Sequence, residues 1–322
     1  MIGKILRLLL VVCVLLFGVL AVFRGAAHVR ETETHTVSAP ETGRFLSTRE
    51  GAVFVQERGP ADGIPLLFAH GTGAWSGLWM ETVDAMAAEG YRAIAFDLTP
   101  FGFSDRARDG DYSRIRQAER ILAIVEALDV TPILVAHSFG AAPGSEAALR
   151  NPDRFAGLVL VAGAVGLTEA KTAKSLPLPL KSESARRWIG TASALNPLLT
   201  RALLRPMLHQ TEAATDARIE ILQRPMRREG TTEAFADWLP SLIAPDTRKT
   251  ISTQSSAWAD YGQPLALIWG REDRLTPPEQ AETLAEITKA DLYWLENVGH
   301  IPQIEAPEAF QAHLLTALSQ MR

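Results

Sequence analysis

Two things are scarce in this chain of 322 residues: cysteine and clustered positive charge. The single cysteine, Cys13, lies within an apolar run, so the rest of the chain can form no disulfide bond. The net charge is −5, and basic residues occur at most in neighbouring pairs such as Arg227 and Arg228. This balance gives no support for nucleic acid as a partner. Internal repeats and low-complexity stretches are also absent, which excludes repeat architectures.

A long apolar segment stands at the extreme N-terminus. Residues 5–23 are apolar except for Arg7, and the run from Leu8 to Phe23 is unbroken. As a helix the unbroken part is about 24 Å long, against roughly 30 Å for the hydrocarbon core of a bilayer. Starting at Ile5 closes most of this gap, because the long side chain of Arg7 can reach the interface. We therefore predict an N-terminal transmembrane anchor or a signal peptide over residues 1–27.

The flanks of this segment favour an uncleaved signal-anchor. A good small-x-small cleavage site is missing directly after the run, where Phe23 and Arg24 stand, and Gly25-Ala26-Ala27 is displaced. Short basic N-termini usually stay in the cytoplasm, which places the rest of the chain outside it, in the periplasm of a bacterium. Residues 28–44 are polar and predict a linker that holds the following domain off the membrane.

A serine flanked by small residues follows a predicted buried strand. Residues 135–141 read VAHSFGA, with Ser138 at the centre and with Ala136 and Gly140 two positions to either side. A serine on a sharp turn from strand to helix has an exposed hydroxyl and a strained backbone, and bulky residues at those two positions would collide. The pattern corresponds to the nucleophile motif G-x-S-x-G, with alanine in place of the first glycine.

Two later loops supply an acid and a histidine. A serine hydroxyl needs a base to take its proton and a carboxylate to orient that base. The predicted strand at 266–269 runs into Glu272 and Asp273, and the predicted strand at 292–295 runs into His300. The order serine, acid, histidine and the segments GREDRLTP (270–277) and NVGHIPQIEAPE (297–308) closely resemble the α/β-hydrolase family.

This resemblance implies Ser138 as nucleophile, His300 as base and Asp273 as orienting acid. Glu272 is the second choice, because the family's acid stands three residues after the glycine that ends the strand. Taken singly, each residue has an ordinary structural explanation, as a helix N-cap, a polar loop residue or a turn residue. Their joint occurrence in this order favours catalysis.

The family's oxyanion hole consists of two backbone amides aimed at the developing negative charge. By position these are the amides of Phe139, directly after the nucleophile, and of Thr72, in the loop after an early strand. The family's corresponding histidines shape their loops, so the resemblance implies a structural role for His70 and His137. It also implies that Asp97 holds the loop after the next strand.

The pattern of apolar residues predicts an α/β fold. Edge strands are expected at 45–48 and 52–58, and buried strands at 66–69, 93–96, 133–136, 158–161, 266–269 and 292–295. Ser113 is predicted to cap an amphipathic helix between two of these strands. Strands that alternate with helices give a doubly wound, mostly parallel sheet, which binds its ligands at the carboxyl ends of the strands.

The alternation is interrupted by helical segments around residues 184–194, 197–208, 212–224 and 232–243. This region resembles the helical cap that many α/β-hydrolases insert after the sixth strand. We predict one hydrolase domain over residues 45–322, with the cap at about 166–262. A minority of the cap's large apolar residues is expected to line an apolar acyl pocket. These residues are Trp188, Leu195, Leu203, Leu204, Met207, Ile221, Met226, Trp238 and Leu239.

Together these features predict a membrane-anchored serine hydrolase that acts through an acyl-enzyme on a small carboxyl ester with an apolar acyl group, without metal or cofactor. Alternatives within the fold are C–C bond hydrolysis, amidase action and cofactor-free haloperoxidase or perhydrolase activity. A non-catalytic binding protein is the alternative from another class. Because no catalytic segment precedes Arg44, a chain that starts there is expected to be soluble and active.

Overall fold

An eight-stranded sheet forms the centre of the protein in a computed structural model that describes residues 2–167 and 174–321. The strands are β1 (Arg44–Thr48), β2 (Gly51–Arg58), β3 (Pro65–Ala69), β4 (Arg92–Phe96), β5 (Ile133–His137), β6 (Gly157–Val161), β7 (Leu265–Gly270) and β8 (Asp291–Leu295). All eight predicted strands are present within a residue or two of their predicted bounds. The predicted α/β-hydrolase fold class is confirmed.

The strand order is β1-β2-β4-β3-β5-β6-β7-β8. The pairs β1–β2 and β2–β4 are antiparallel, and the other pairs are parallel. Side chains that alternate along the strands enter two apolar clusters, with Leu67 and Leu134 in one and Phe68 and Val135 in the other. Because β3, β5, β7 and β8 are parallel, the loops that follow them emerge at one edge of the sheet.

Fourteen α-helices lie in the described residues, and the third to fifth, the twelfth and the last pack against strands of the sheet. They are α1 (Ile2–Arg30), α2 (His35–Ser38), α3 (Met80–Ala88), α4 (Arg114–Leu128), α5 (Ala141–Arg150), α6 (Leu178–Lys181), α7 (Glu183–Ala192), α8 (Thr200–Leu204), α9 (Asp216–Gln223), α10 (Thr231–Ile243), α11 (Ser255–Ala259), α12 (Pro278–Thr288), α13 (Pro302–Glu305) and α14 (Pro307–Gln320). Helix α4 begins after Ser113, whose hydroxyl accepts a hydrogen bond from the Arg116 amide, as predicted for the N-cap.

Helices α6–α10 lie between β6 and β7, where the sequence predicts a cap, and we call these helices and the segments that join them the cap. Residues 168–173, near the start of that interval, lie outside the described residues. The cap packs on the sheet domain through Trp238, whose ring centroid is 5.4 Å from that of Phe139. A second apolar cluster joins Leu204 and Leu208 of the cap to Ile301 and Ile304. The cap therefore covers the edge of the sheet at which the predicted catalytic loops emerge.

Helix α1 includes a segment long and apolar enough to cross a membrane, with a mean hydropathy of 3.0. Helix α1 continues beyond residue 27, the predicted end of the anchor, and ends at Arg30. The stretch predicted as a spacer then contacts the cap: the amides of Thr32 and Glu33 each donate to the Arg227 carbonyl over 3.1 Å. The Glu31 carboxylate accepts from the Thr232 amide over 2.9 Å. The segment predicted as a linker is therefore hydrogen-bonded to the cap at residues 31–33.

Candidate active site

Ser138 stands on a tight turn between β5 and α5. Its φ is +51°, in the left-handed region that side chains other than glycine rarely adopt. A Cβ at Gly140 would lie 2.5 Å from the His70 carbonyl oxygen, so only glycine fits there. The motif of small residues thus has a steric cause, and the strained backbone is typical of a functional serine.

His300 bonds to both of the other residues that the sequence singles out. Its Nε2 atom lies 2.7 Å from Ser138 Oγ, and its Nδ1 atom lies 2.9 Å from Asp273 Oδ2. All three side chains are buried beneath the cap. The structure therefore brings the predicted nucleophile, base and acid together in one hydrogen-bonded row.

The environment of Asp273 determines which nitrogen of His300 carries the proton. Burial alone would raise the pKa of Asp273, but hydrogen bonds from His300 and Thr276, with the charge of His300, hold it below its usual value. The carboxylate therefore only accepts hydrogen bonds, and Nδ1 of His300 must donate. In neutral His300 this leaves Nε2 as the acceptor that faces the Ser138 hydroxyl.

Glu272, the second choice for the acid, faces another partner. Its Oε2 atom accepts a hydrogen bond from the Val298 amide over 2.9 Å. Within residues 2–167 and 174–321 no hydrogen bond links Glu272 to His300. The carboxylate of Glu272 instead joins the loop after β7 to the loop after β8.

Two residues at the site were missed by sequence reasoning, and the first is Thr276. Its hydroxyl lies 2.6 Å from Asp273 Oδ2 and 3.2 Å from His300 Nδ1. Its amide donates to Asp273 Oδ1 over 3.0 Å. Thr276 therefore fixes the carboxylate against the imidazole. Its place in the segment GREDRLTP was the available signal.

The second missed residue is Glu305, which joins the histidine loop to the cap. Its carboxylate accepts from four backbone amides at 2.7–3.1 Å, those of His209, Gln210, Gly299 and Ile301. The His300 amide itself donates to the carbonyl of Met207, in the cap, over 2.9 Å. The position of His300 therefore depends on the cap as well as on the sheet. The signal in the sequence was the motif NVGHIPQIEAPE, where Glu305 is the first glutamate.

The two predicted oxyanion donors follow adjacent strands, β3 and β5. Added to Gly71, a Cβ would lie 2.9 Å from His137 Nδ1 and 3.0 Å from Ser138 Cβ, so this loop passes close to the serine. In the part of the chain that the structure describes, the Thr72 amide donates no hydrogen bond. Phe139 directly follows Ser138 in the same turn. Both predicted donors therefore lie in backbone turns beside Ser138.

His70 and His137 are buried and bonded to backbone. The Leu98 amide donates to His70 Nε2 over 2.9 Å, and His137 Nε2 donates to the His300 carbonyl over 2.9 Å. Burial lowers the pKa of His70 to about 4, and burial with the charge of His300 lowers that of His137 to about 3. Both rings are therefore neutral and shape the loops.

Asp97 holds the turn after β4. It accepts from the amides of Ser76 and Phe103, each over 2.7 Å, and its carbonyl accepts from the Ser104 hydroxyl over 2.7 Å. Burial raises the pKa of Asp97 to about 6, although these hydrogen bonds oppose the shift. The contacts agree with the loop-holding role that the resemblance implies.

Two cavities flank the row of catalytic candidates. The larger, of about 480 Å³, is lined on the catalytic side by Phe139, Leu275 and Thr276 and on the cap side by Leu242. The smaller, of about 100 Å³, begins at Thr72 and has a mainly apolar lining that includes Phe101. The walls of both cavities are mostly carbon, so each suits an apolar group.

The cap supplies two of its predicted pocket residues to the smaller cavity, Leu195 and Met226. The other seven named apolar residues of the cap line neither cavity. One charged side chain, that of Arg106, also lines the smaller cavity. Its Nη2 atom donates to the Thr231 hydroxyl over 3.0 Å, while Nε and Nη1 have no partner among the described residues. Burial and the charge of Arg228 lower the pKa of Arg106 to about 9.

This arrangement has counterparts among known proteins. The 2-hydroxymuconate semialdehyde hydrolase of Pseudomonas putida is 31% identical over 275 residues, which cover 84% of this chain and 92% of that protein. The meta-cleavage product hydrolase from Pseudomonas fluorescens IP01 has a TM-score of 0.67 at 22% identity, and covers 88% of this chain and 99% of that one. A membrane phospholipase A described as a bacterial virulence factor has a TM-score of 0.68 at 22% identity, and covers 100% of this chain and 98% of that one.

The two solved structures, at this level of identity, establish the fold. The model of the Alpha/beta hydrolase family matches residues 66–312, a stretch that includes Thr72, Ser138, Asp273 and His300. The chain therefore belongs to the alpha/beta hydrolase family and is an enzyme of the hydrolase type.

Proposed function

We propose that the protein is a serine hydrolase that cleaves carboxyl esters with an apolar acyl group through an acyl-enzyme. The observation that carries the proposal is the row of hydrogen bonds from Asp273 through His300 to Ser138, at 2.9 Å and 2.7 Å. A nucleophile, a base and an orienting acid at these distances form the arrangement that acyl transfer requires.

The chemistry begins at Ser138. Nε2 of His300 takes the hydroxyl proton as Oγ attacks the ester carbonyl, and the carbonyl oxygen becomes an oxyanion. The amides of Thr72 and Phe139 donate to that oxyanion. His300 then returns the proton to the leaving alcohol, and the acyl group remains on Ser138. Water activated by the same histidine releases the acid, while Asp273 stays ionised throughout.

The apolar walls of the two cavities support an apolar acyl group. Leu195, Met226 and Phe101 line the cavity that begins at Thr72, and Phe139 lines the larger one. Burying an apolar chain against such walls is favourable by about 0.8 kcal/mol for each CH₂ group. Binding is therefore expected to improve as the acyl chain lengthens, until the cavity is full.

C–C bond hydrolysis is the second candidate function. The relative that is 31% identical is named for 2-hydroxymuconate semialdehyde, a carboxylate. Arg106 lines the smaller cavity and has two guanidinium nitrogens without partners among the described residues, so a carboxylate in that cavity would lie beside a cation. The same serine hydrolase machinery would then serve a ketone in place of an ester.

A substrate panel separates the two candidates. We expect p-nitrophenyl esters of four to eight carbons to be hydrolysed with a higher kcat/KM than 2-hydroxymuconate semialdehyde. Arg106→Met is expected to change the ester rates less than about threefold, because a neutral acyl group forms no ion pair with Arg106 that the substitution could remove. Faster turnover of the semialdehyde, together with a drop of tenfold or more in Arg106→Met, would replace the ester proposal with C–C hydrolysis. Amides and peracid formation complete the panel, and labelling by a fluorophosphonate distinguishes an enzyme from a binding protein.

The proposed division of the chain keeps an anchor over residues 1–27 and a hydrolase domain over 45–322 with the cap at about 166–262. Three features support retention of the anchor. Arg24 forms a salt bridge of 2.8 Å with Glu233, Ala27 is buried, and Arg30 donates to the carbonyls of the cap. Cleavage after Ala27 would remove the first two.

The basic N-terminus favours an extracytoplasmic hydrolase domain, which is periplasmic in a bacterium.

Retention of the anchor is expected in the mature protein. The intact mass of enzyme extracted from membranes should include the residues before Arg24, and washing with alkaline carbonate should leave the enzyme in the membrane fraction. A mature N-terminus at His28 would show instead that the segment is a cleaved signal peptide. A chain that lacks residues 2–22 is the matched control, since it loses the span and keeps Arg24, Ala27 and Arg30.

A further inference from the structure

The apolar helix α1 contacts the cap well before the end of its apolar run. The rings of Phe17 in α1 and Trp188 in α7 are stacked, with centroids 5.1 Å apart. Phe17 stands six residues before Phe23, where the apolar run ends. At 1.5 Å per residue this is about 9 Å along the helix. If the run spans the bilayer, Trp188 lies at or below the level of the lipid headgroups.

A second exposed apolar element directly precedes α7. Residues 176–180 read Leu-Pro-Leu-Pro-Leu, and Leu178 is 82% exposed. The two prolines have no amide hydrogen, which removes two donors that would otherwise need water. The Leu180 amide donates to the Pro177 carbonyl, and the Leu180 carbonyl accepts from Arg186. The backbone here can therefore enter an apolar interface with few groups left without partners.

Charge on both sides of this segment suits a lipid surface. Lys174, two residues before the segment, and Lys181, directly after it, are both exposed. Lysine side chains beside an inserted apolar segment reach up to the headgroups, where an anionic leaflet attracts their charge. Glu183, the nearest following carboxylate, is paired with Arg187.

From these observations, and resting on the proposed anchor, we propose that Leu176–Leu180 and Trp188 form a second membrane contact, which seats the cap on the leaflet from which α1 emerges. The partner is the lipid surface itself. We call these residues the cap insertion.

The cap cannot easily swing away from the membrane, because α1 is tied to it at several points beyond Phe17. Arg24 pairs with Glu233 at the start of α10 over 2.8 Å. Arg30 donates to the carbonyls of Met226 and Leu195 over 3.0 and 3.1 Å. Both of these residues line the smaller cavity. The orientation of the anchor therefore fixes that of the pocket wall.

The cap insertion also leads to the catalytic serine. Leu180 packs against the buried cluster that contains Trp238 and Leu239. Phe139, next to Ser138, packs against the same cluster. In this proposal one end of the cap insertion faces lipid, and the other end joins the wall of the smaller cavity. This continuity suits apolar esters that dissolve in the leaflet and reach Ser138 without crossing water.

The test measures depth in a bilayer with the full chain. Leu178→Cys and Ile64→Cys, each with Cys13→Ser, are labelled with the fluorophore NBD and reconstituted into vesicles of phosphatidylcholine and phosphatidylglycerol. Ile64 is 39% exposed and directly precedes β3, so it lies at the end of the strands that is opposite the cap. A label at this position is therefore the matched control. Doxyl groups on the acyl chains should quench the label at 178 at least threefold more than the label at 64. Equal quenching in protein that stays with the vesicles would overturn the cap insertion and leave the anchor standing.

A kinetic readout separates this proposal from the ester proposal. Leu178→Asp should lower hydrolysis of a long-chain ester dispersed in vesicles by about tenfold, and should leave the rate on water-soluble p-nitrophenyl butyrate within twofold. Unchanged rates on both substrates would contradict a role for the insertion in substrate uptake. Absence of any ester hydrolysis by the unsubstituted enzyme would refute the ester proposal alone, since quenching still reports insertion. Protein that does not associate with vesicles would refute the anchor and the insertion together.

Discussion

Ser138→Ala is expected to lower kcat on a p-nitrophenyl ester by about 10⁴-fold or more. The substitution removes the oxygen that becomes acylated, which lies 2.7 Å from His300 Nε2. His300→Ala should cost about as much, and the double variant little more, because the two residues act as one unit. The measurement is steady-state turnover, with labelling by a fluorophosphonate as a second readout that Ser138→Ala should abolish.

Ser145→Ala is the matched control for this prediction. Ser145 is fully buried in α5, and its hydroxyl has no partner among the described residues. Its loss should change neither turnover nor the melting temperature by much. All these variants should keep the circular dichroism of the unsubstituted enzyme. Retention of full esterase activity by Ser138→Ala would remove the nucleophile assignment and the proposed mechanism with it.

The parts of the site that follow from local rules could be predicted from the sequence. A nucleophile on a turn with φ of +51° requires small neighbours, and that requirement is visible as Ala136 and Gly140. The strands were equally visible because buried parallel strands are short apolar runs. The loops after β7 and β8 carried Asp273 and His300 in segments typical of the family. In each case the constraint and the residues that satisfy it lie within a few positions.

The parts that depend on distant contacts could not be predicted. Glu305 accepts from amides of the cap about 95 residues earlier in the chain, and the motif that contains it does not indicate which distant amides these are. Arg30 and Glu31 look like ordinary polar linker residues, yet they bond to the cap. A polar side chain that is paired in the fold has the same sequence signature as one that is solvated.

These contacts also bear on the expectation that a chain starting at Arg44 is soluble and active. A chain that starts at Arg44 would lose Arg24, Arg30 and Glu31, and would leave the cap atoms that they bond without partners. Water would replace the lost partners, at a net cost of about 0.5–1.5 kcal/mol for each hydrogen bond. The loss would fall on the cap, whose residues Leu195 and Met226 line the smaller cavity. The structure therefore places the better starting point before Arg24, which keeps the whole contact with the cap.

Asp273→Asn is expected to lower kcat by about 10³- to 10⁴-fold, while Glu272→Gln stays within about threefold of the unsubstituted enzyme. The two acids are neighbours in sequence and lie on the same loop after β7, which makes them a matched pair. Asparagine can present an N–H to Nδ1 of His300 and so favour the tautomer that has its proton on Nε2. That tautomer cannot accept the Ser138 proton. Glutamine at 272 keeps an oxygen that accepts from the Val298 amide.

The pH dependence of kcat gives this comparison a second readout. The charge of Asp273 stabilises the imidazolium that forms as Ser138 loses its proton, across the 2.9 Å contact with Nδ1. Without that charge the residual activity of Asp273→Asn should rise with pH well beyond the pH at which the unsubstituted enzyme levels off, because hydroxide can then substitute for the base. Glu272→Gln should keep the original profile. The reverse pattern, with Glu272→Gln inactive and Asp273→Asn spared, would transfer the role of the acid to Glu272.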